Sequence, residues 1–101
     1  MIPISDFKKE VLDWAEEIQV NPKEIQVRSL SRKWASCSSK GRLTFSYALL
    51  DESNETRSKA IVHELLHLKY ANHGKIFRTT YVTYLRKKGI TVKFNEGKSI
   101  E

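Results

Sequence analysis

Hydrophobic residues recur at helical spacing near the start of the chain: Phe7, Val11, Trp14 and Ile18, with Lys8, Lys9, Asp13, Glu16 and Glu17 between them. Residues three and four apart share one face of a helix, so the pattern predicts an amphipathic helix over about 6–20 whose apolar stripe faces a core. Ser5 or Asp6 offers a capping side chain at its start, and Asn21-Pro22 stops it. From Glu24 to Leu30 the period changes to two, with Ile25 and Val27 on one side and Gln26 and Arg28 on the other, as in a half-buried strand. The segments Ser31–Cys37 and Arg42–Ser46 flank Ser38-Ser39-Lys40-Gly41, which predicts a hairpin of two short strands around a glycine-bearing turn. Tyr47 to Leu50 is apolar without a decisive period.

Ser53 and Asn54 are capping candidates for a second helix running from about Glu55 to Ala71. Ile61, Leu65 and Leu68 lie along one side of it, and Val62 and Leu66 widen the apolar surface. A helix this apolar must be buried between a sheet on one side and another helix on the other. A third helix fits Lys75–Lys88, with Phe77, Tyr81, Tyr84 and Leu85 as its stripe; Arg86, Lys87 and Lys88 suit its C-terminal dipole and Gly89 its end. Ile90-Thr91-Val92-Lys93-Phe94 alternates like a last short strand, and residues 95–101 form a polar tail. The expected class is α+β, a small and mostly antiparallel sheet packed on one helix with two further helices.

Composition narrows the picture. A chain of 101 residues makes a single domain, 1–101, with a modest core. Its 18 Lys and Arg against 12 Asp and Glu give a net charge of +6, which favours anionic partners in a general way. One cysteine excludes an internal disulfide. The lack of a signal-like start or a long apolar run implies a cytoplasmic protein without a membrane partner.

The stretch with chemistry is His63-Glu64-Leu65-Leu66-His67. Residues four apart on a helix stack one turn above the other, so the two imidazoles aim at one point, with the bite that a zinc ion needs. Glu64 is swung about 100° around the axis from His63. It is badly placed as a ligand there but well placed to act as general base on a water held by the metal. H-E-x-x-H is the metalloprotease motif. A catalytic zinc site takes three protein ligands and leaves a position open, and the third histidine of the chain is His73. Reaching back requires the helix to stop near Ala71, with Asn72 taking the left-handed conformation and Gly74 adding freedom. The spacing equals that of the metzincins, but Tyr70 stands at their turn glycine and Met1 is the only methionine, so this is not a metzincin.

These residues predict a zinc peptidase holding one Zn2+ per chain and acting on a peptide or unfolded protein, with Tyr70, Arg78 and Tyr81 as candidate second donors to the oxyanion. Alternatives remain open. A closed structural zinc site would take Cys37 as fourth ligand. A metal-dependent hydrolase of a nucleotide fits the basic excess loosely but has no phosphate loop. A nucleic-acid-binding module would use the basic residues with Trp34, Tyr47 and Tyr70. A latent peptidase would cover its cleft with the tail through Glu96 or Glu101.

Several separate motifs in order, Arg28, Trp34-Ala35-Ser36-Cys37, Gly41, Leu43, His63-Glu64-Leu65-Leu66-His67-Leu68, Asn72-His73 and Phe77, resemble the YgjP-like metallopeptidase domain, and more distantly SprT-like proteins and minigluzincins. The resemblance covers Arg28 to Phe77. It implies a minimal zincin-like fold, zinc ligation by His63, His67 and His73, and Glu64 as base. It also puts Ala35 and Ser46 along the wall of the substrate cleft, where Trp34 to Cys37 or Leu43 to Ser46 could add main-chain hydrogen bonds to a substrate strand; Trp34, Ala35, Ser36, Tyr70 and Arg78 are the candidate substrate contacts. Three positions depart from the family pattern: Ala35 replaces a glycine, Ser46 sits near a usual asparagine, and Arg78 replaces a tryptophan.

Overall fold

The computed structural model describes residues 1–92 of the chain. Helix α1 spans Ile4–Ile18, strands β1, β2 and β3 span Glu24–Arg28, Ala35–Cys37 and Arg42–Ser46, and helices α2 and α3 span Asn54–Leu66 and Lys75–Lys87. A 3-10 turn at Tyr47–Asp51 follows β3, started by the Ser46 hydroxyl accepting from the Ala48 N–H at 3.2 Å.

The apolar stripe of α1 is buried as its spacing predicts, with Phe7, Val11, Trp14, Ala15 and Ile18 inside. Its ends differ from expectation. Pro3, with φ fixed for helix entry, precedes the first turn, so Ser5 and Asp6 lie inside the helix rather than capping it. Gln19 takes the left-handed conformation (φ 64°) and closes the helix before Asn21-Pro22 is reached.

The predicted hairpin forms. β2 pairs antiparallel with β3, and the Ser38 hydroxyl accepts from the N–H groups of Lys40 (3.3 Å) and Arg42 (3.1 Å) to shape the turn. Gly41 has φ 88°, a conformation that a side chain disfavours. The sheet is mixed, however, and not mostly antiparallel: its order is β1-β3-β2, and β1 joins β3 in parallel, Glu24 opposite Arg42 through Arg28 opposite Ser46. Alternation tells which face of a strand is buried but not which neighbour it takes, so the order was not legible from the pattern.

Phe45 of β3 meets Phe7 of α1 edge-on, ring centres 5.1 Å apart, and the buried apolar residues form one contiguous cluster. Helix α2 runs through its middle, capped by Ser53, whose hydroxyl accepts from the Thr56 N–H at 3.2 Å. Arg57 fastens it to α1: Nε and Nη2 each donate at 2.9 Å to the two carboxylate oxygens of Glu10, and Nη1 donates to the Glu52 carbonyl at 2.6 Å. Glu10 holds the Arg57 guanidinium in its charged form, chiefly by these hydrogen bonds.

At the far end, Gly89 (φ 79°) lets the chain turn back so that Ile90 N–H reaches the Leu85 carbonyl at 3.0 Å. Ile90 and Val92 are buried, but residues 90–92 form no strand, and Lys93 and Phe94 lie outside the described residues. The tail 95–101 lies outside them too. No helix among the described residues is long and apolar enough to cross a membrane.

Candidate metal centre

Helix α2 delivers His63 and Glu64 on its last full turn and ends at Leu66, earlier than the sequence suggested, with His67 as its C-cap. Tight bonds carry the chain past the end: Leu68 N–H to Leu65 O (3.0 Å), Lys69 N–H to Leu66 O (3.0 Å) and Tyr70 N–H to Leu66 O (2.8 Å). The first two, each spanning three residues, shorten the last turn, and with the third, which spans four, they reverse the chain without a left-handed residue. Asn72 therefore keeps an ordinary negative φ, and Gly74 serves as the extended cap of α3 at φ −76°. The expected return of His73 is achieved by other means than those predicted.

The three imidazoles come together. Their Nε2 atoms are 3.3 Å (His63 to His67), 3.2 Å (His63 to His73) and 2.9 Å (His67 to His73) apart. His63 is fully buried, His67 half-buried and His73 exposed, so the triangle opens towards solvent on one side. His67 Nδ1 lies 3.2 Å from the carbonyl of Tyr70. A carbonyl only accepts, so that nitrogen carries the proton, and in the neutral ring Nε2 presents its lone pair to the centre.

Three unprotonated Nε2 atoms turned to one point at these distances would repel one another, and a cation placed among them would remove the repulsion. Tetrahedral zinc with nitrogens at about 2.0–2.1 Å separates neighbouring nitrogens by about 3.3–3.4 Å. The observed triangle is slightly tighter than this and fits the ion with small adjustment. The donor set, three neutral imidazoles, is one that zinc favours.

Glu64 is also fully buried, and its Oε2 is 4.0 Å from His63 Nε2. Among the described residues the metal-ligating cluster contains the three histidines alone; neither Glu64 nor Cys37 belongs to it. Cys37 lies on β2, where its thiol donates to the Ser38 carbonyl at 3.5 Å.

The other residues named from the sequence fall into two groups. On the β2 side, Trp34 is half-buried against the core and lines a cleft of about 300 Å³ with Leu30, Arg32, Lys33, Ser46 and Ala48. Ala35 is fully buried, and Ser36 is half-buried opposite Thr44. On the histidine side, Tyr70 is half-buried, Arg78 is half-buried in the first turn of α3, and Tyr81 is buried one turn further along.

Two contributions escaped sequence reasoning. The Tyr70 carbonyl orients His67, and no letter of the sequence marks a main-chain acceptor. Phe77 packs its ring against all three imidazoles, at centre-to-centre distances of 5.3, 5.0 and 4.8 Å from His63, His67 and His73. Its helical spacing was signal only for burial.

The model of the YgjP-like metallopeptidase domain matches residues 4–87, well over half of the chain. No curated protein matches the sequence. Among solved structures, the fold is similar to that of the metallopeptidase zymogen of Pyrococcus abyssi abylysin, with a TM-score of 0.61 and 20% identity over 84% of this chain and 98% of that one. At that identity the likeness is one of fold.

Proposed function

The chain belongs to the YgjP-like metallopeptidase family, and on that premise we propose that it is a zinc-dependent endopeptidase in which His63, His67 and His73 hold one ion and Glu64 is the general base. The observation that carries the reading is the Nε2 triangle of 2.9–3.3 Å with a buried carboxylate oxygen 4.0 Å from its His63 corner. Zinc held there would polarise the scissile carbonyl and bring the pKa of a bound water down towards about 7.

The protein's own groups do the rest. Glu64 is too far round the helix to ligate and close enough to take a proton from the attacking water, then return it to the leaving amine nitrogen. Its burial keeps bulk water from competing for the same oxygens and strengthens every electrostatic interaction nearby. The Tyr70 carbonyl keeps His67 in the tautomer that ligates.

The edge strand β2 offers the substrate a main-chain template. The bonds Ser46 N–H to Trp34 O (2.8 Å) and Ser38 N–H to Arg42 O (2.9 Å) turn the main-chain groups of residues 34, 36 and 38 towards β3. Those of Ala35 and Cys37 consequently face away from it, in the alternation of an antiparallel pair. A peptide adding along that edge would make its hydrogen bonds there, with Trp34 and Ser36 beside it. Ala35 contributes main chain only, because its methyl group is buried in the core.

Latency is a second reading, favoured by the zymogen state of the similar solved structure. The segment to test contains Glu96 and Glu101. The decisive experiment compares wild type and Glu64→Gln, each full length and lacking residues 95–101, for bound zinc and casein cleavage. Glu64→Gln is expected to retain zinc and lose about 10²–10⁴-fold in cleavage. Equal cleavage by both proteins rejects the peptidase mechanism. Cleavage unchanged by removal of residues 95–101 rejects latency alone.

A further inference from the structure

Phe77 belongs to the buried core, and it also meets every imidazole of the site. The centres of the His63, His67 and His73 rings lie 5.0, 4.8 and 4.7 Å from one another. The Phe77 ring lies 4.8–5.3 Å from each of them. Four rings thus occupy the corners of a nearly regular tetrahedron, three of them imidazoles and the fourth phenyl. Phe77 is 3% exposed whereas His73 is exposed, so the phenyl group lies towards the interior.

The contacts have a defined geometry. Phe77 meets His63 at 72° and His73 at 75°, both edge-to-face, and His67 at a tilt of 42°. Aromatic pairs prefer such offset and edge-on arrangements, because the electron-rich face of one ring attracts the electropositive edge of another. Behind it, Tyr81 stacks on Phe77 at 6.4 Å and 15° and reaches His63 at 6.2 Å. The phenyl ring is therefore itself fixed from below.

The need for such a support follows from where the ligands sit. Only His63 is inside a helix; His67 is a C-cap and His73 belongs to the connection, residues 67–74, before α3. A loop ligand that samples several orientations must be ordered when the ion binds, and that ordering subtracts from affinity. A rigid aromatic floor meeting all three rings orders them beforehand.

We propose that Phe77 is a positioning residue for the metal site: it holds the three imidazoles in ligating geometry in the metal-free protein and thereby sets zinc affinity, beyond its share in fold stability. The proposal rests on the three-histidine reading given above.

The test is zinc affinity, measured by competition with a chromophoric chelator, together with the visible spectrum of the Co2+ form. Phe77→Leu, which keeps an apolar side chain but removes the ring, is compared with Leu85→Ala, a buried change eight residues further along the same helix. Phe77→Leu is expected to weaken zinc binding by about 10–100-fold, as loss of supports behind metal ligands does, and to alter the Co2+ bands. Leu85→Ala is expected to lower the melting temperature while leaving affinity and Co2+ bands as in wild type. Wild-type affinity and an unchanged Co2+ spectrum in Phe77→Leu would overturn the proposal, as would an equal loss of affinity in Leu85→Ala.

A second measurement needs no variant. In the metal-free wild type, the His73 ring protons should show a single ring-current-shifted set of NMR signals; signals at random-coil positions would overturn the proposal regardless of how the variants fold. Failure of the wild type itself to bind zinc would reject the three-histidine reading, a different outcome from wild-type binding that Phe77→Leu leaves intact.

Discussion

Zinc should stabilise the fold, and by an amount that can be worked out. The candidate ligands converge, with three Nε2 atoms 2.9–3.3 Å apart. Binding to the native state alone adds RT ln(1 + [Zn]/Kd), about 2.7 kcal/mol when free zinc is 100 times Kd. For a domain of this length, each kcal/mol moves the melting temperature by about 4–8 °C, so the expected rise is about 11–22 °C. The assay is a series of calorimetric or circular-dichroism melts at buffered free zinc, with a chelated control. His73→Ala removes the corner that follows the chain reversal, and at the same free zinc its shift should collapse to a small fraction of the wild-type value. A melting temperature indifferent to zinc, or a His73→Ala protein that responds as strongly as wild type, would refute the reasoning.

Glu10→Gln strips the charge from the partner that receives two Arg57 donors, and should cost about 1.5–3 kcal/mol in denaturant unfolding, with zinc affinity unchanged. Gly41→Ala forces a side chain into φ 88° with its Cβ 3.4 Å from the Lys23 side chain, and should cost about 1–2 kcal/mol by the same measurement. The Glu24 carboxyl is held below the usual glutamate range, chiefly by the hydrogen bond from Arg42 and then by that from Gln26. With its folded pKa below the unfolded one, its stabilising contribution is present above the unfolded value and is lost as pH falls through the folded one. An NMR titration should find the Glu24 midpoint depressed, and returning towards the ordinary range in Arg42→Ala.

Much of this architecture is written in periodicity. The stripe Phe7, Val11, Trp14 and Ile18 was legible because burial of a helix face leaves a period that only helices share. The hairpin at Ser38–Gly41 was legible because turn chemistry is local. The convergence of His63 and His67 follows from one helical turn, and the reach of His73 from simple ligand counting. What stayed hidden depends on contacts between distant parts of the chain or on main-chain atoms. The parallel docking of β1 on β3 leaves no mark in either strand. The end of α2 at Leu66 is set by three-residue hydrogen bonds that need neither glycine nor asparagine, so the letters Asn72 and Gly74 suggested a different route to the same reversal. The roles of the Tyr70 carbonyl and the Phe77 ring emerge only when the imidazoles are seen in three dimensions.

The middle position of β3 also governs when the sheet can be completed. Its partner β1 precedes it by 18 residues, as the Glu24–Arg42 pair shows. At a synthesis rate of about 5–20 residues per second, the first strand leaves the ribosome about 1–4 seconds before the segment that will pair with it. Throughout that interval the nascent chain presents an open edge to its surroundings. The polar residues Glu24, Gln26 and Arg28 that alternate along it guard a newborn chain as much as they solvate a finished one.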